Sequence, residues 1–372
     1  MFHAVTPTYT INLNYSMIAP LKSNTPQTLK VGNIMYDVMA VGNALVDHEY
    51  LLNDEQLTQT SLAKGSMTLA SLEEQTQLLA EFEAQQLQPS KQTGGGSAAN
   101  AMFAFASLGG KSFYGCRVGD DKAGEFYLAD LNQAGVATTS EKSVSAGGVT
   151  GSCVVAITPD GERTMQTFLG TSSDINEDNL DFEALSQSSW LYFEGYLAMS
   201  ESLRPALQKL RQQAKDNDIK IAVSFADPAV VNFAKEGLLE VLGDGVNTIF
   251  CNAEEAMLFT ETSNITEAAQ ALTQYCQLAV VTNSAEDTVI CEKGADATTT
   301  LTKVPTPKVD KVIDTNGAGD NYSGAFLYAL SQNHSLTECG QLAGTVASQV
   351  VQQFGPRLTV EQYQAIAKQV LS

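Results

Sequence analysis

Short apolar runs alternate along the chain with longer stretches in which apolar residues recur every three or four positions. The first run, residues 36–41, predicts a strand that stops at the turn Gly42-Asn43-Ala44. Ser71-Leu72-Glu73-Glu74 has the spacing of a capping box and predicts a helix with Leu72, Leu79 and Phe82 on its apolar face. A second helix is expected after the glycines at 94–96, a strand at 112–117, and another helix from about Asp121. Two β-like runs at 151–158 and 163–169 flank Pro159-Asp160-Gly161, a turn signal, and predict a hairpin. Strands at 189–194, 220–225 and 247–251 then alternate with helices at 201–216, 228–242 and 252–260. Leu203, Leu207, Leu210 and Ala214 give the helix at 201–216 a continuous apolar stripe.

Such alternation implies an α/β chain whose mostly parallel central sheet is covered by helices on both faces. Sheets of that kind bind ligands beyond the carboxyl ends of their strands. The hairpin, with the segment after the first strand, is a candidate for a small lid. Residues 1–34, rich in Thr, Asn, Ser and Pro without a sustained period, read as a disordered or loosely attached tail, with Met35 a candidate native start. Residues 35–372 are expected to form the folded domain.

Composition narrows the function. The 372 residues are 44% apolar, ordinary for a globular domain, with no run long enough to span a bilayer and no secretory signal pattern. The expectation is a soluble, cytoplasmic protein. Six scattered cysteines without a C-x-x-C pair, and only three histidines, assemble no zinc spacing and read as free thiols. Forty-two acidic residues against 21 basic ones give a net charge of −21, which argues against nucleic acid or an anionic membrane as partner. The same charge repels an anionic nucleotide, so a nucleotide enzyme with this sequence needs local positive potential and a divalent cation.

Four segments carry candidate chemistry. In Val309 to Asp320 a predicted strand runs into Thr315-Asn316-Gly317-Ala318-Gly319-Asp320 and then into a helix with Phe326, Ala329 and Leu330 on its apolar side. Small residues at 317–319 let backbone N–H groups approach an anion at the helix start, and Asp320 stands beside it, suited to take a proton from an attacking hydroxyl. As an isolated pair, Gly-Asp is more often a turn with a capping aspartate. Thr93-Gly94-Gly95-Gly96-Ser97-Ala98-Ala99-Asn100 lets a ligand lie against backbone, with Asn100 aimed at a sugar hydroxyl. It also contains a formal G-x-G-x-x-A, but a dinucleotide fingerprint belongs after the first strand. Gly42-Asn43-Ala44-Leu45-Val46-Asp47 places a carboxylate where it can accept from both hydroxyls of a vicinal diol. Asn252-Ala253-Glu254-Glu255 places acidic groups able to hold water around Mg2+, although Asn-x-x-Glu alone is no more than a helix start.

Together and in this order, these segments resemble the PfkB or ribokinase family of sugar and nucleoside kinases, over about residues 36–358. Gly95-Gly96-x-x-x-Asn100 continuing to Gly119-Asp120-Asp121, and Asp314 through Asp320, match the two family signatures. The resemblance implies a ribokinase-like fold with a small β-sheet lid from segments near 46–67 and 148–172. It implies Asp320 as the base and Gly317, Ala318 and Gly319 as an anion hole for the transferring phosphoryl. It assigns Asn43, Asp47, Gly95, Gly96 and Asn100 to the acceptor. Asn252, Thr282, Thr315, Gly317 and Gly319 fall to the nucleotide, and Glu255 to Mg2+ through water. Arg163, Phe168, Glu194 and Tyr196 are candidates for specificity in the lid region. Ser284 and Asp287 stand where many members carry glycine, a departure that touches the nucleotide contacts. The opening at Gly42-Asn43, Tyr114-Gly115-Cys116 and the Asn in 314–320 look more like adenosine kinases than ribokinases.

The expected activity is ATP-dependent phosphorylation of the hydroxymethyl group of an adenosine-like ribonucleoside by a monomer or homodimer. ATP and Mg2+ are the expected cofactors, with K+ a further candidate. A kinase of free ribose or a related sugar, and a ligand-binding protein that kept the fold without catalysis, are the alternatives; an oxidoreductase stands well behind them. If the negative field slows nucleotide approach, moderate salt raises kcat/KM; a monotonic fall from low to physiological ionic strength is the contrary result.

Overall fold

The computed structural model describes residues 35–371, so the expected tail at 1–34 lies outside the described residues. Six parallel strands make up most of the larger sheet: Cys276–Asn283, Val246–Asn252, Lys220–Ser224, Ser188–Glu194, Tyr36–Val41 and Ser112–Gly115, in that spatial order. Antiparallel strands Glu286–Lys293 and Thr299–Val304 extend it beyond Cys276–Asn283. In Tyr36–Val41 the side chains of Val38 and Ala40 enter one core while Met39 and Val41 enter the other. Both faces are therefore dry, as near-continuous apolar strands require.

Helices Ser97–Ser107, Ala318–Ser331, Leu336–Val350 and Val360–Val370 contribute to the first core. Helices Arg204–Asp216, Pro228–Leu242, Ala253–Thr260 and Ile265–Leu272 contribute to the second. The stripe Leu203, Leu207, Leu210 and Ala214 is buried there. No described helix is long and apolar enough to cross a membrane.

The smaller sheet takes its strands, in spatial order, from Met67–Leu69, Arg163–Phe168, Gly151–Ile157, Leu45–Leu51 and Lys91–Gly95. The hairpin 151–168 pairs antiparallel around its 159–161 turn. Strand Lys91–Gly95, which the sequence reading left out of this layer, pairs antiparallel with Leu45–Leu51. One face of the sheet packs on helices Asp54–Thr58 and Leu72–Ala84 through Tyr50, Leu52, Leu57, Leu78, Phe82, Val154 and Ala156.

Two elements differ from the sequence expectation. The capping box at Ser71 and Glu74 is present, but the buried face of its helix is Gln75, Leu78 and Phe82, while Leu72 and Leu79 are exposed. Gln75 turns inward because its amide donates to the Ser152 and Gln166 carbonyls, which satisfies a buried polar group and rotates the helix accordingly. No strand forms at 309–314. That segment is irregular and hydrogen-bonds instead to the turn after Leu336–Val350, through Ile313 N–H and Asp314 N–H to the Val351 carbonyl.

Helices Ser97–Ser107 and Ala318–Ser331 cross with almost no spacer. A Cβ on Gly324 would run into the Ala101 carbonyl, so only glycine permits the approach. Replacing Gly324 by Ala overpacks the crossing and is expected to cost about 1–3 kcal/mol. Thermal unfolding checks this; an unchanged Tm contradicts a fixed crossing.

Candidate active site

The carboxyl ends of the parallel strands and one face of the smaller sheet enclose a cleft of about 730 Å3. Asn43 follows the strand Tyr36–Val41, and Glu194, Ser224, Asn252 and Thr282 end or nearly end theirs. Each is delivered to the cleft by the same parallel register. Asn43, Asp47, Gly96, Asn100, Asn252, Glu255, Thr282, Thr315, Gly317, Ala318, Gly319 and Asp320 all line it. Gly95 does not; it stands behind Asp47, whose carboxylate fills the space a Cβ would take.

The turn before Ala318–Ser331 is held by groups that leave the amides of Gly319 and Asp320 free, while Ala318 N–H donates to the Thr315 carbonyl at 3.3 Å. Gly317 has φ +70°, and a Cβ there would strike Pro356. Asn321, fully buried, donates through Nδ2 to the carbonyls of Gly317 and Pro356 at 2.6 Å each, and accepts from the Tyr363 hydroxyl. Asp314 accepts from Asn316 N–H at 2.9 Å and Gly355 N–H at 3.0 Å. Gly319 N–H and Asp320 N–H find no acceptor among the described residues, and nothing lies within 4 Å of a Cβ built on Gly319. Orphan N–H groups at a helix start form an anion site.

Asp320 Oδ1 accepts from Ser97 Oγ at 2.6 Å, and Oδ2 accepts from Asn100 Nδ2 at 3.0 Å. Burial raises the Asp320 pKa, while those two hydrogen bonds and the cations Arg357 and Arg163 pull it back. The carboxyl is thus oriented by two donors and available to a proton on the cleft side.

Three further carboxyls are almost completely buried: Asp47, Glu194 and Glu255 are 7%, 2% and 3% exposed. Burial is the first cause that pushes each up to about 7. Glu194 accepts from Asn43 N–H and Asn43 Nδ2 and from Ala98 N–H, all at 2.8 Å, joining the first turn of Ser97–Ser107 to the end of the first strand. Glu255 and Asn252 cap each other at the start of Ala253–Thr260. Nearby Asp227, Asp320 and Glu254 raise Glu255 further.

Several side chains fall elsewhere than expected. Glu194 and Tyr196 belong to the carboxyl end of the central strand Ser188–Glu194, not to the smaller sheet; the run is a buried parallel strand, so its end opens on the cleft floor. Phe168 ends a strand of the smaller sheet and does not line the cleft. Arg163 does line it, reaching from the smaller sheet to within 3.9 Å of Asp314. Ser97 and Arg357 received no role from the sequence. Ser97 sits inside the quoted glycine segment and was legible as the residue one turn before Asn100, whereas Arg357 carried no local signal. Burial lifts the thiols of Cys116, Cys153 and Cys276 to about 12, and all six cysteines are free and buried, so they are unreactive.

A helix start with free amides and a carboxylate on the same turn, both lining the cleft, is an arrangement that can hold an anion beside a proton acceptor. The sequence profile described as pfkB family carbohydrate kinase matches residues 62–362, and the chain belongs to that family. It is a kinase, and kinase chemistry implies ATP as the phosphoryl donor. The structure is similar to the crystal structure of adenosine kinase from Sinorhizobium meliloti, with TM-score 0.80 and 32% identity, covering 90% of this chain and 99% of that one. A probable sugar kinase from Rhizobium etli CFN 42 gives TM-score 0.80 and 30% identity over 90% and 98% of the two chains. In sequence the chain is 28% identical over 332 residues to an adenosine kinase of Saccharomyces cerevisiae, covering 86% of this chain and 96% of that one.

The raised carboxyls yield a stability prediction. Between about 4 and 7 the folded chain keeps protons on Asp47, Glu194 and Glu255 that the unfolded chain has released. Stability from these groups is full below their unfolded values and is lost as pH rises through about 7. The unliganded protein is therefore expected to have a higher Tm at pH 6 than at pH 8, with Asp47→Asn flattening part of the slope. Calorimetry at a series of pH values checks it, and a Tm that falls from pH 8 to pH 6 contradicts it.

Proposed function

We propose that this kinase transfers the γ-phosphoryl of ATP to the hydroxymethyl group of an adenosine-like ribonucleoside, with Asp320 as general base. The reading is carried by one juxtaposition: the Asp320 carboxylate lies one residue past Gly319, on the helix turn whose unpartnered amides face the cleft. Asp320 accepts the hydroxyl proton as that oxygen attacks phosphorus and the bond to the ADP oxygen breaks. The unpartnered amides of Gly319 and Asp320, rather than the full expected set at 317–319, then stabilise the charge gathered on the phosphoryl oxygens, since Ala318 N–H is engaged with the Thr315 carbonyl. Asp47, Asn43 and the second N–H of Asn100 hold the ribose hydroxyls, and the smaller sheet acts as the lid.

The acceptor end favours a nucleoside over a free sugar. Leu45, Met67, Leu69, Val155, Met165 and Leu169 give the cleft an apolar wall on the smaller-sheet side. A flat base buries such surface, whereas a free pentose leaves it wet. The Sinorhizobium and Saccharomyces relatives named adenosine kinase point the same way.

Among the described residues no three acidic or histidine side chains are close enough to hold a metal directly. Glu255, crowded by like charges at the cleft edge, fits instead an ion that keeps its water and is bound mainly by phosphates. Mg2+ held so would neutralise charge on the donor phosphates. Asn252, Thr282 and Thr315 line that end of the cleft and are assigned to the nucleotide.

Asp320→Asn is expected to lower kcat by about 10²–10⁴-fold while acceptor binding, measured by calorimetry, changes little. Retention of most turnover contradicts the base assignment. ATP consumption with a panel of nucleosides and free sugars decides the acceptor. A preference for ribose overturns the nucleoside reading, and consumption with none of them favours a ligand-binding protein.

A further inference from the structure

Asn100 touches Asp320 through only one end of its amide. An amide carries an acceptor at one end and donors at the other, and can turn over. Arg357, which follows helix Leu336–Val350, removes that freedom. Its Nε–H donates to Asn100 Oδ1 at 2.8 Å, and its Nη1 pairs with Asp130 on helix Lys122–Gln133. Its guanidinium carbon lies 4.6 Å from the centroid of Phe103, one turn along from Asn100. A guanidinium has donors only. The amide oxygen must face Arg357, and Nδ2 is thereby turned toward Asp320.

We propose that Arg357 is a positioning residue for phosphoryl transfer, locking Asn100 in the orientation that donates to Asp320 Oδ2 and keeps a second N–H for the acceptor hydroxyl. The proposal rests on reading Asp320 as the base. A purely structural role explains the arrangement poorly. Arg357 is only 8% exposed, and its Nη2 is buried with no partner among the described residues. A buried ion pair recovers little beyond its desolvation cost, and apolar residues of similar volume often hold segments together as well.

Arg357 also acts on charge. Asp320 is faced by Arg163 and Asp47 from the smaller sheet, Glu194, Tyr192 and Tyr196 from the central strand and the turn after it, Glu255 from its helix, and Arg357. Besides the hydrogen bonds from Ser97 and Asn100, the two arginines favour the ionised base, Arg357 more than Arg163. It likewise holds Asp47 below the value that burial alone would set.

The test compares Arg357→Gln, Arg357→Lys and Asp130→Asn with the unaltered full chain, using ATP and the best acceptor of the panel. Glutamine restores the freedom to flip and removes the charge. In R357Q kcat falls by up to about 100-fold, with a smaller change in acceptor KM, and the acid limb of the kcat–pH profile moves to higher pH. R357K keeps the charge without the planar fork, so the limb returns while kcat stays several-fold low. D130N breaks the ion pair but not the bond to Asn100; it lowers Tm and leaves the limb in place. An unmoved limb with near-normal kcat in R357Q, measured well below its Tm, overturns the proposal. If R357Q does not fold, R357K decides, an unchanged kcat being the contrary result. Failure of the base reading is separate, since it shows as turnover by D320N.

Discussion

The contact between helices Ser97–Ser107 and Ala318–Ser331, with Gly324 against the Ala101 carbonyl, is the constraint from which the geometry around Asp320 follows. With a larger residue at the crossing, the two helix starts separate. Ser97 and Asn100 then move away from Asp320, to which they donate at 2.6 and 3.0 Å. Hydrogen bonds of that kind are lost over shifts well under 1 Å. Backbone packing, more than any polar side chain, sets the position of the carboxylate, and Asn321 and Asp314 then hold the turn that bears the amides.

A chain of charge −21 that handles an anionic donor must build its attraction locally. In the proposed site this falls to main-chain dipoles at a helix start and to Arg163, which lines the cleft, with Arg357 acting on Asp320 from behind it. Three of the other cleft carboxyls, Asp47, Glu194 and Glu255, are buried, and burial favours their neutral form by lifting each to about 7. That burial lowers stability in the empty protein. A site whose empty form is disfavoured gains by binding the cations and hydrogen-bond donors of its ligands.

The smaller sheet is sided. Helices Asp54–Thr58 and Leu72–Ala84 cover one face, and the other, carrying Leu45, Met67, Val155 and Met165, is turned to the cleft. The sheet's outer face is thus buried by helices of the same chain. Its inward apolar residues remain available to a ligand.

Local pattern determined a good deal by itself. The parallel strands, the caps at Ser71 and Asn252, the hairpin turn at 159–161 and the glycine–aspartate helix start are all short-range signals, written within a few residues of where they act. Read together with the family resemblance, those signals named several cleft-lining residues, among them Asn43, Asp47, Asn252 and Asp320, but not Ser97 or the apolar wall. The tertiary structure alone decided which face of Leu72–Ala84 is buried, since Gln75 answers to carbonyls of two distant strands. It alone denied 309–314 a strand, because the partner of that segment is the turn at Val351. Arg357 reaches Asn100 across 257 positions of sequence, and no periodicity or motif links two residues so far apart. Their contact exists because the chain's last helices fold back beside its early ones, and that is a property of packing.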